Sequence, residues 1–275
     1  MFIFKVLHRF AALILLAGAT LMLLFTVFAG SIEHFPFNRF YWVQADTSGI
    51  PSANADVTRW TFWGICHPDS YFQAGTNNCP GLGADVPISP LDNFGNSTGI
   101  PQDFITNRDT YYYLSRFSFP FLLLALIFTG VALLLNIFAI CSKSMKQASF
   151  VMIGLGCLFC TVGACLITAV SALTRNHFKD AGYPAKLNAS GFGLVWASTF
   201  ILMVLGLASC FAVIRKAKKS QDEYMESNPV PATATTPAYV PPNDDQNATQ
   251  QHEGSGIRFF KIRRNQNKVE QDSLA

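Results

Sequence analysis

The chain has 275 residues, of which 50% are hydrophobic and only 13% charged, and its formal net charge is +3. Soluble domains average about 25% charged residues, so the composition disfavours a soluble protein with buried helices. A net charge this small does not indicate nucleic-acid binding, and we expect no nucleic-acid partner.

Four stretches of the chain lack Asp, Glu, Lys and Arg, and each exceeds the roughly 20 apolar residues that cross a hydrocarbon core. These stretches are 10–32, 117–142, 147–174 and 187–214. They predict transmembrane helices at 10–30, 117–140, 149–173 and 192–214. The predicted fold class is therefore an all-α membrane protein, a bundle of four transmembrane helices.

The first apolar run, from Phe10 to Ala29, follows Lys5 and Arg9, as it would in a secretory signal peptide. It is longer than the core of about 7–15 residues that is typical of such signals. We therefore favour an uncleaved anchor over a cleaved signal.

Four spans place both termini on one side of the membrane, and Lys and Arg collect on the cytoplasmic side. This predicts cytoplasmic segments 1–9, 141–148 and 215–275 and extracellular loops 31–116 and 174–191. The charge rule is not clean, because cations also lie near the span ends on the other side. They are Arg108, Arg116, Arg175, Lys179 and Lys186.

The first loop has aromatic, β-prone stretches at 40–43 and 59–63, separated by Gly, Pro, Asn and Asp. This pattern predicts a small extracellular β-sheet. The loop also contains Cys66 and Cys79, for which we favour a disulfide over two unpaired thiols. A disulfide that closes so short a loop adds roughly 3 kcal/mol to the free energy of unfolding, because it reduces the entropy of the unfolded chain.

Within the spans, small residues predict close helix approach, which any multispan protein needs. They are Gly18, Gly154, Gly156, Gly163, Ala164, Gly191, Gly193 and Gly206. Asn136 is predicted to bridge two helices, and Pro120 to lie in the first turn of the second span, where its missing N–H is harmless. Whether the bundle forms a homo-oligomer stays open.

The segment after residue 214 holds nine of the twenty Lys and Arg. A basic collar at 215–219 precedes a stretch, 226–256, too poor in large aliphatic residues to fold, which predicts disorder. The chain then mixes cations with insertable side chains, and this predicts binding to phosphoinositide-rich membrane or an acidic scaffold; a solubilising tail is the alternative. The residues concerned are Arg258, Phe259, Phe260, Lys261, Ile262, Arg263 and Arg264.

Candidate modification sites are few, and catalytic ones are missing. Asn96 begins a sequon and is a candidate glycosylation site, whereas Asn188 abuts a span and Asn247 is expected to be cytosolic. The five histidines have no metal-ligand spacing, so we predict no metal, no cofactor and no enzyme activity. Charged residues within spans would indicate a pump or a coupled transporter, and none is present.

Several motifs resemble those of one fungal family. N-R-F-Y-W-V-Q at 38–44, T-R-W-T-F-W-G at 58–64, P-I-S-P-L-D-N-F at 87–94 and R-D-T-Y-Y-Y-L-S-R-F at 108–117 resemble the SUR/PalI family. Within it they are similar to the eisosome-associated plasma-membrane tetraspans, as is G-I-R-F-F-K-I-R-R at 256–264. Trp-Gly-x-Cys before a second cysteine also resembles the claudin-like element, with one residue fewer.

The resemblance implies a non-catalytic protein of static plasma-membrane patches, linked to endocytosis, lipid balance and cell-wall integrity. The implied partners are the bilayer, anionic inner-leaflet lipids and cytoplasmic eisosome scaffold proteins. The positions carried over are structural: Trp60, Trp63, Gly64, Cys66 and Cys79. The PalI side implies an alternative, an accessory protein in ambient-pH signalling, and a small-solute channel is a third class.

Overall fold

The structure is a computed structural model that describes residues 2–96, 98–138 and 143–227. Over these residues, four of the helices are long and apolar enough to cross a membrane. The helices are α1 (Phe2–Val27), α2 (Pro90–Phe94), α3 (Gln102–Thr106), α4 (Arg108–Phe138), α5 (Lys143–Asp180) and α6 (Ala189–Ser227). The strands are β1 (Val43–Asp46), β2 (Val57–Trp60), β3 (Ile65–Cys66) and β4 (Ala185–Leu187). The predicted four-helix membrane bundle with a small sheet is confirmed.

All four long helices extend beyond the apolar stretches that predicted them, and α1 begins at Phe2 rather than at 10. α4 begins at Arg108 rather than at 117, α5 continues to Asp180 rather than to 173, and α6 continues to Ser227 rather than to 214. A charge-free stretch locates only the apolar part of a helix. Lys, Arg, Gln and Glu are good helix formers, so the helices continue into the polar flanks.

Pro120 shows the consequence of this extension, and its predicted place in a first turn is wrong. α4 begins twelve residues earlier, so Pro120 lies inside the helix. The hydropathy pattern predicts that Arg108 and Arg116 lie in the loop before the second span. In the structure both residues lie in α4. Proline has no N–H to donate, so the carbonyl of Arg116 loses its usual helical partner there.

Close packing between α4 and α5 depends on two of the predicted small residues. A Cβ atom added at Gly156 would lie 2.8 Å from Thr129 Cγ2, and one at Gly163 would lie 2.8 Å from Leu122 Cγ. Both distances are too short for a real Cβ atom, so any larger residue would force the facing part of α4 to shift. At four other predicted positions, close helix approach is not found. A Cβ atom added there would meet no described atom of a neighbouring helix within 4 Å, and the four positions are Gly18, Gly154, Gly193 and Gly206.

Polar contacts between the spans are sparse. The Asn136 amide donates to Ser149 Oγ at 2.8 Å, which confirms that this residue bridges α4 and α5. Ser149 Oγ in turn donates to the carbonyl of Ala132 at 3.2 Å. Between α5 and α6, Cys160 Sγ lies 3.1 Å from Thr199 Oγ1. The rest of the packing among the described spans is mainly apolar.

The sheet has the strand order β3-β2-β1-β4, with all neighbours antiparallel. Val43 pairs with Trp60 on one side and with Leu187 on the other. The sequence predicts a sheet within the first loop alone, but β4 comes from the second loop. The sheet therefore joins both loops on one side of the bundle.

The two faces of the sheet have different coverings, because side chains alternate along a strand. On one face Trp60 is fully buried, and its ring lies 5.8 Å from that of Phe178 near the end of α5. On the other face, Gln44, Arg59 and Lys186 lie beneath the segment between the two loop cysteines. The sheet thus lies between the helix ends and a disulfide-closed loop.

Candidate functional site

The turn between β2 and β3 is organised by Thr61 and Gly64. Thr61 N donates to the Gly64 carbonyl at 3.0 Å, and Thr61 Oγ1 accepts from Gly64 N at 3.0 Å. The same oxygen accepts from Trp63 N at 3.2 Å. A Cβ atom added at Gly64 would lie 3.2 Å from Leu82 Cδ2. A larger residue at position 64 would therefore require the Leu82 side chain to move by a few tenths of an ångström.

Trp60 fastens the sheet to the segment before α4. Its indole Nε1–H donates to Asn93 Oδ1 at 2.7 Å. Its ring packs edge-on to Phe94 at a centroid distance of 5.9 Å. A fully buried Trp with a satisfied N–H contributes a large apolar area without leaving an unpaired polar group. This residue is a central part of the core on the helix side of the sheet.

Trp63 joins the sheet to the end of the first membrane helix. Its Nε1–H donates to the carbonyl of Val27 at 2.8 Å, and Val27 is the last residue of α1. Its ring stacks on Phe28 at 5.8 Å with an interplanar angle of 11°. Carbonyls in the last turn of a helix lack helical partners, so this bond caps α1 from the first loop.

The disulfide between Cys66 and Cys79 is present. Cys66 lies in β3, and the backbone N–H of Cys79 donates to Glu33 Oε1 at 2.8 Å. The backbone N–H of His67 donates to the Asn78 carbonyl at 3.0 Å. The segment between the two cysteines is thus held to the sheet at one end and to the segment after α1 at the other.

Arg59 is the residue that the sequence analysis did not single out as a site. Its side chain is 1% exposed. Its Nε donates to Gln44 Oε1 at 2.7 Å, one terminal nitrogen donates to the Gln73 carbonyl at 2.6 Å, and the other donates to the Gly75 carbonyl. Its guanidinium lies 4.7 Å from the ring centroid of Tyr41. No carboxylate among the described residues forms an ion pair with it.

The cluster around Arg59 holds a second cation. Lys186 Nζ donates to the Tyr71 carbonyl at 3.0 Å, and that carbonyl also accepts from Gln44 Nε2 at 2.9 Å. Burial lowers the pKa of Arg59, and the nearby Tyr41 only partly opposes this. Burial and then Arg59 lower the pKa of Lys186. Arginine stays protonated in proteins, so carbonyl oxygens rather than carboxylates stabilise a permanent buried charge here.

One signal in the sequence could have identified this cluster. Gln44 and Arg59 belong to two of the family-like motifs, those at 38–44 and 58–64. A charged residue inside an aromatic, β-prone stretch is expected to be buried only with hydrogen-bond partners. The polar residues within these two motifs therefore indicate a buried cluster as clearly as the tryptophans indicate a core.

Ion pairs and one amide fix the remaining helix ends to the loops. Arg108 Nε donates to Asp92 Oδ1 at 2.8 Å, and Arg116 donates to the Asp85 carbonyl at 2.9 Å. Burial raises the pKa of Asp85, and its partner Arg116 opposes that shift. Asn188 Nδ2 donates to the Arg39 carbonyl at 2.8 Å, which ties the start of α6 to the segment after α1.

Other predicted positions lie apart from this cluster or outside the described residues. Asn96 is exposed in a bend between α2 and α3. Asn188 is 8% exposed, and its side-chain oxygen accepts from Ser190 N at 3.0 Å. Glycosylation stays a prediction for Asn96. The membrane- or scaffold-binding residues Arg258, Phe259, Phe260, Lys261, Ile262, Arg263 and Arg264 lie outside the described residues.

Among residues 2–96, 98–138 and 143–227, no three His, Cys, Asp or Glu side chains are grouped so that they could hold a metal ion. The arrangement described above consists of hydrogen bonds, ion pairs, ring contacts and one disulfide. These contacts hold the loops in fixed positions against the ends of the helices.

Comparisons with known proteins identify the family of this chain. A model of the SUR7/PalI family matches residues 8–208. The chain is 41% identical to Protein SUR7 of Candida albicans, over 98% of this chain and 100% of that protein. It is 34% identical to Protein SUR7 of Saccharomyces cerevisiae, over 99% of each chain. It is also 34% identical to a Saccharomyces cerevisiae protein named "Uncharacterized plasma membrane protein YNL194C", over 92% of this chain and 86% of that one. With its four membrane-spanning helices and this family match, the chain belongs to the SUR7/PalI family of membrane proteins.

Proposed function

We propose that this protein is a non-catalytic tetraspan that organises a static domain of the plasma membrane, of the eisosome type. The proposal rests on one observation. Strand pairing and side-chain hydrogen bonds connect both loops to each other and to the ends of the helices. β4 of the second loop pairs with β1 of the first, and Trp63 caps α1. Such a unit suits a protein that works as a fixed shape in the bilayer.

A plasma-membrane location is supported by the name of the relative YNL194C. The consequences for endocytosis, lipid balance and cell-wall integrity come from the family resemblance. In this proposal both termini are cytoplasmic, and the sheet faces the cell wall. The protein concentrates in punctate cortical patches.

The cytoplasmic partners in this proposal are anionic inner-leaflet lipids and eisosome scaffold proteins. A basic run at 215–219 lies in the C-terminal part of α6 and is exposed. Each Lys or Arg near an anionic leaflet contributes about 1 kcal/mol. The basic run adds attraction close to the bilayer, and the tail cluster at 258–264 adds rings that insert among headgroups.

Photobleaching of a fluorescent fusion in living cells tests the organising role. We expect bright cortical patches whose fluorescence recovers far more slowly than that of a freely diffusing membrane protein. A uniform, rapidly recovering signal would contradict the proposal. If patches form normally in a deletion strain that has lost its response to alkaline medium, the ambient-pH signalling alternative is favoured instead.

The tail is tested by deleting 257–264 from the full chain. We expect patch retention or binding to phosphoinositide-containing liposomes to fall, while membrane insertion is unchanged. Deleting 240–247, which removes eight residues but no Lys or Arg, is the matched control. Equal behaviour of the two deletions would refute the role assigned to the tail.

A further inference from the structure

An open groove of about 380 Å³ lies between the segment that follows α1, the disulfide loop and the start of α6. Three aromatic residues line it, namely Phe35, Phe40 and Tyr41. Arg39 lines it among them, and Ser190 lies on the α6 side. None of the connections between the sheet and the helix ends described above uses the side chain of Arg39.

The groove lies at the level where lipid headgroups are expected. α1 ends at Val27, a few residues before the groove, and the charge-free stretch of α6 begins at the groove itself. Aromatic side chains concentrate at this depth, where one part of a ring is in lipid and another in water. Phe35 is 78% exposed, so its ring is available to an acyl chain or to the upper part of a lipid.

The free polar groups of the groove are hydrogen-bond donors or hydroxyls. The Arg39 guanidinium and the hydroxyls of Tyr41 and Ser190 make no hydrogen bond with any other described residue, and no Asp or Glu lines the groove. The Asn188 amide, by contrast, is occupied at both ends. A guanidinium with no carboxylate beside it is suited to a phosphate, which it binds with two parallel hydrogen bonds.

The buried cluster behind the groove adds to this preference for an anion. The Arg59 guanidinium lies 4.7 Å from the ring centroid of Tyr41, and Gln73 and Gly75, whose carbonyls it binds, both line the groove. Arg59 therefore holds one wall in place. Its charge also has no carboxylate partner among the described residues, so it adds to the attraction of the groove for an anion.

We propose that this groove binds an anionic lipid through its phosphate-bearing headgroup, taken from the leaflet on the sheet side of the membrane. The phosphate lies at Arg39, with the hydroxyls of Tyr41 and Ser190 as further donors. The adjoining part of the lipid lies along Phe35 and Phe40. This site is separate from the tail cluster and goes beyond the organising role, because it assigns a ligand to the opposite side of the bundle.

The test uses the full chain in nanodiscs of phosphatidylcholine that contain a small fraction of photoactivatable phosphatidylinositol. After illumination, mass spectrometry identifies the labelled peptides. We expect labelling of the peptides around 35–41 and 188–190, well above that from photoactivatable phosphatidylcholine. Arg39→Gln should lower this labelling about tenfold, the scale of one lost charge-assisted hydrogen bond. Labelling of the basic collar and the tail should stay unchanged.

Lys179→Gln is the matched control, because Lys179 is an exposed cation on the same side of the bundle but outside the groove. This variant should be labelled to the same extent as the parent protein, and Arg39→Lys should retain part of the labelling. The thermal unfolding temperature of Arg39→Gln should equal that of the parent, because the Arg39 side chain is exposed. Equal labelling by the two lipid probes, or no effect of Arg39→Gln, would overturn the proposal. Displacement of the lipid probe by millimolar inorganic phosphate would assign the groove to free phosphate and would also overturn it.

Discussion

The sheet region, residues 28–107 and 181–188, and the four spans are stabilised in different ways. In the sheet region polar side chains such as Arg59 have several specific partners each, and aromatic rings fill the space between them. In the spans the described contacts are mainly apolar, with bridges such as Asn136 to Ser149. Apolar packing accepts many sequences of suitable volume, whereas a hydrogen-bonded cluster accepts few. The chemical identity of single residues should therefore matter more in the sheet region.

The largest contrast is expected between two aromatic truncations. Trp60→Ala removes a fully buried ring and its bond to Asn93, so the free energy of unfolding should fall by about 3–5 kcal/mol. Phe200→Ala removes a side chain that is 67% exposed on a span, and the change should be much smaller. Denaturant titration of the purified protein in detergent micelles measures both. Equal losses would remove the distinction between the two regions.

The disulfide should rank next. Cys66→Ser and Cys79→Ser should each lower the free energy of unfolding by about 3 kcal/mol, because the closed segment is short. The double variant should lose no more than either single one, since each removes the same bond. Cys210→Ser in α6, an exposed free cysteine, is the control and should unfold as the parent does. Additive losses, or free thiols at both positions in surface protein, would refute the pairing.

Arg59→Lys tests whether the buried charge or its geometry matters. Lysine keeps the charge but cannot donate to Gln44 and to two loop carbonyls from one planar group. We expect a loss of about 1–3 kcal/mol, the usual cost of leaving buried polar partners unsatisfied. Arg175→Lys, near the end of α5, should unfold as the parent does. If both substitutions leave the free energy of unfolding equally unchanged in the same denaturant titration, the cluster does not require arginine at position 59.

A smaller effect is expected from Trp63→Phe. The phenyl ring keeps most of the stacking on Phe28 but cannot donate to the carbonyl of Val27, so the loss should be about 1 kcal/mol. Hydrogen exchange at the last turn of α1 should rise at the same time, because that turn loses its cap. Trp196→Phe, which loses a bond to Thr168 within the spans, should leave exchange there unchanged.

The smallest effect is expected from Asn136→Ala. Hydrogen bonds between membrane helices contribute about 0.6 kcal/mol on average, so the unfolding midpoint in detergent should shift only slightly. Ser149→Ala removes the other partner, and the double variant should equal the larger single loss. A loss as large as that of Arg59→Lys would show that the spans, too, depend on specific polar contacts.

Much of the fold could be predicted from the sequence, because the strongest signals are local. Charge-free stretches of more than 20 residues identify the spans, and two cysteines in one loop allow a single pairing. The extension of α4 back to Arg108 could not be inferred, since polar helical turns resemble a loop in hydropathy. The sequence indicates that Arg59 is buried, but it could not identify the loop partners of Arg59, because Gln73 and Gly75 bind it through backbone carbonyls that any residue could supply.

The fourth strand shows a further limit. Ala185–Leu187 is only three residues long, and its β structure depends on pairing with β1 rather than on its own composition. Short strands carry little signal of their own. The groove beside Arg39 has no local signal in the sequence either, because it is formed by segments of the first loop and the start of α6 that are distant in the chain.

The pairing of β1 with β4 also sets an order of events during synthesis. Ala45 pairs with Ala185, 140 residues later in the chain. Until the ribosome has made that residue, with α5 already complete, one edge of β1 has no strand beside it. An open strand edge can pair with another chain, and contacts so distant in sequence form slowly. Newly made protein therefore passes through an interval in which its first loop is vulnerable, and a nascent chain that stops before residue 185 never leaves it.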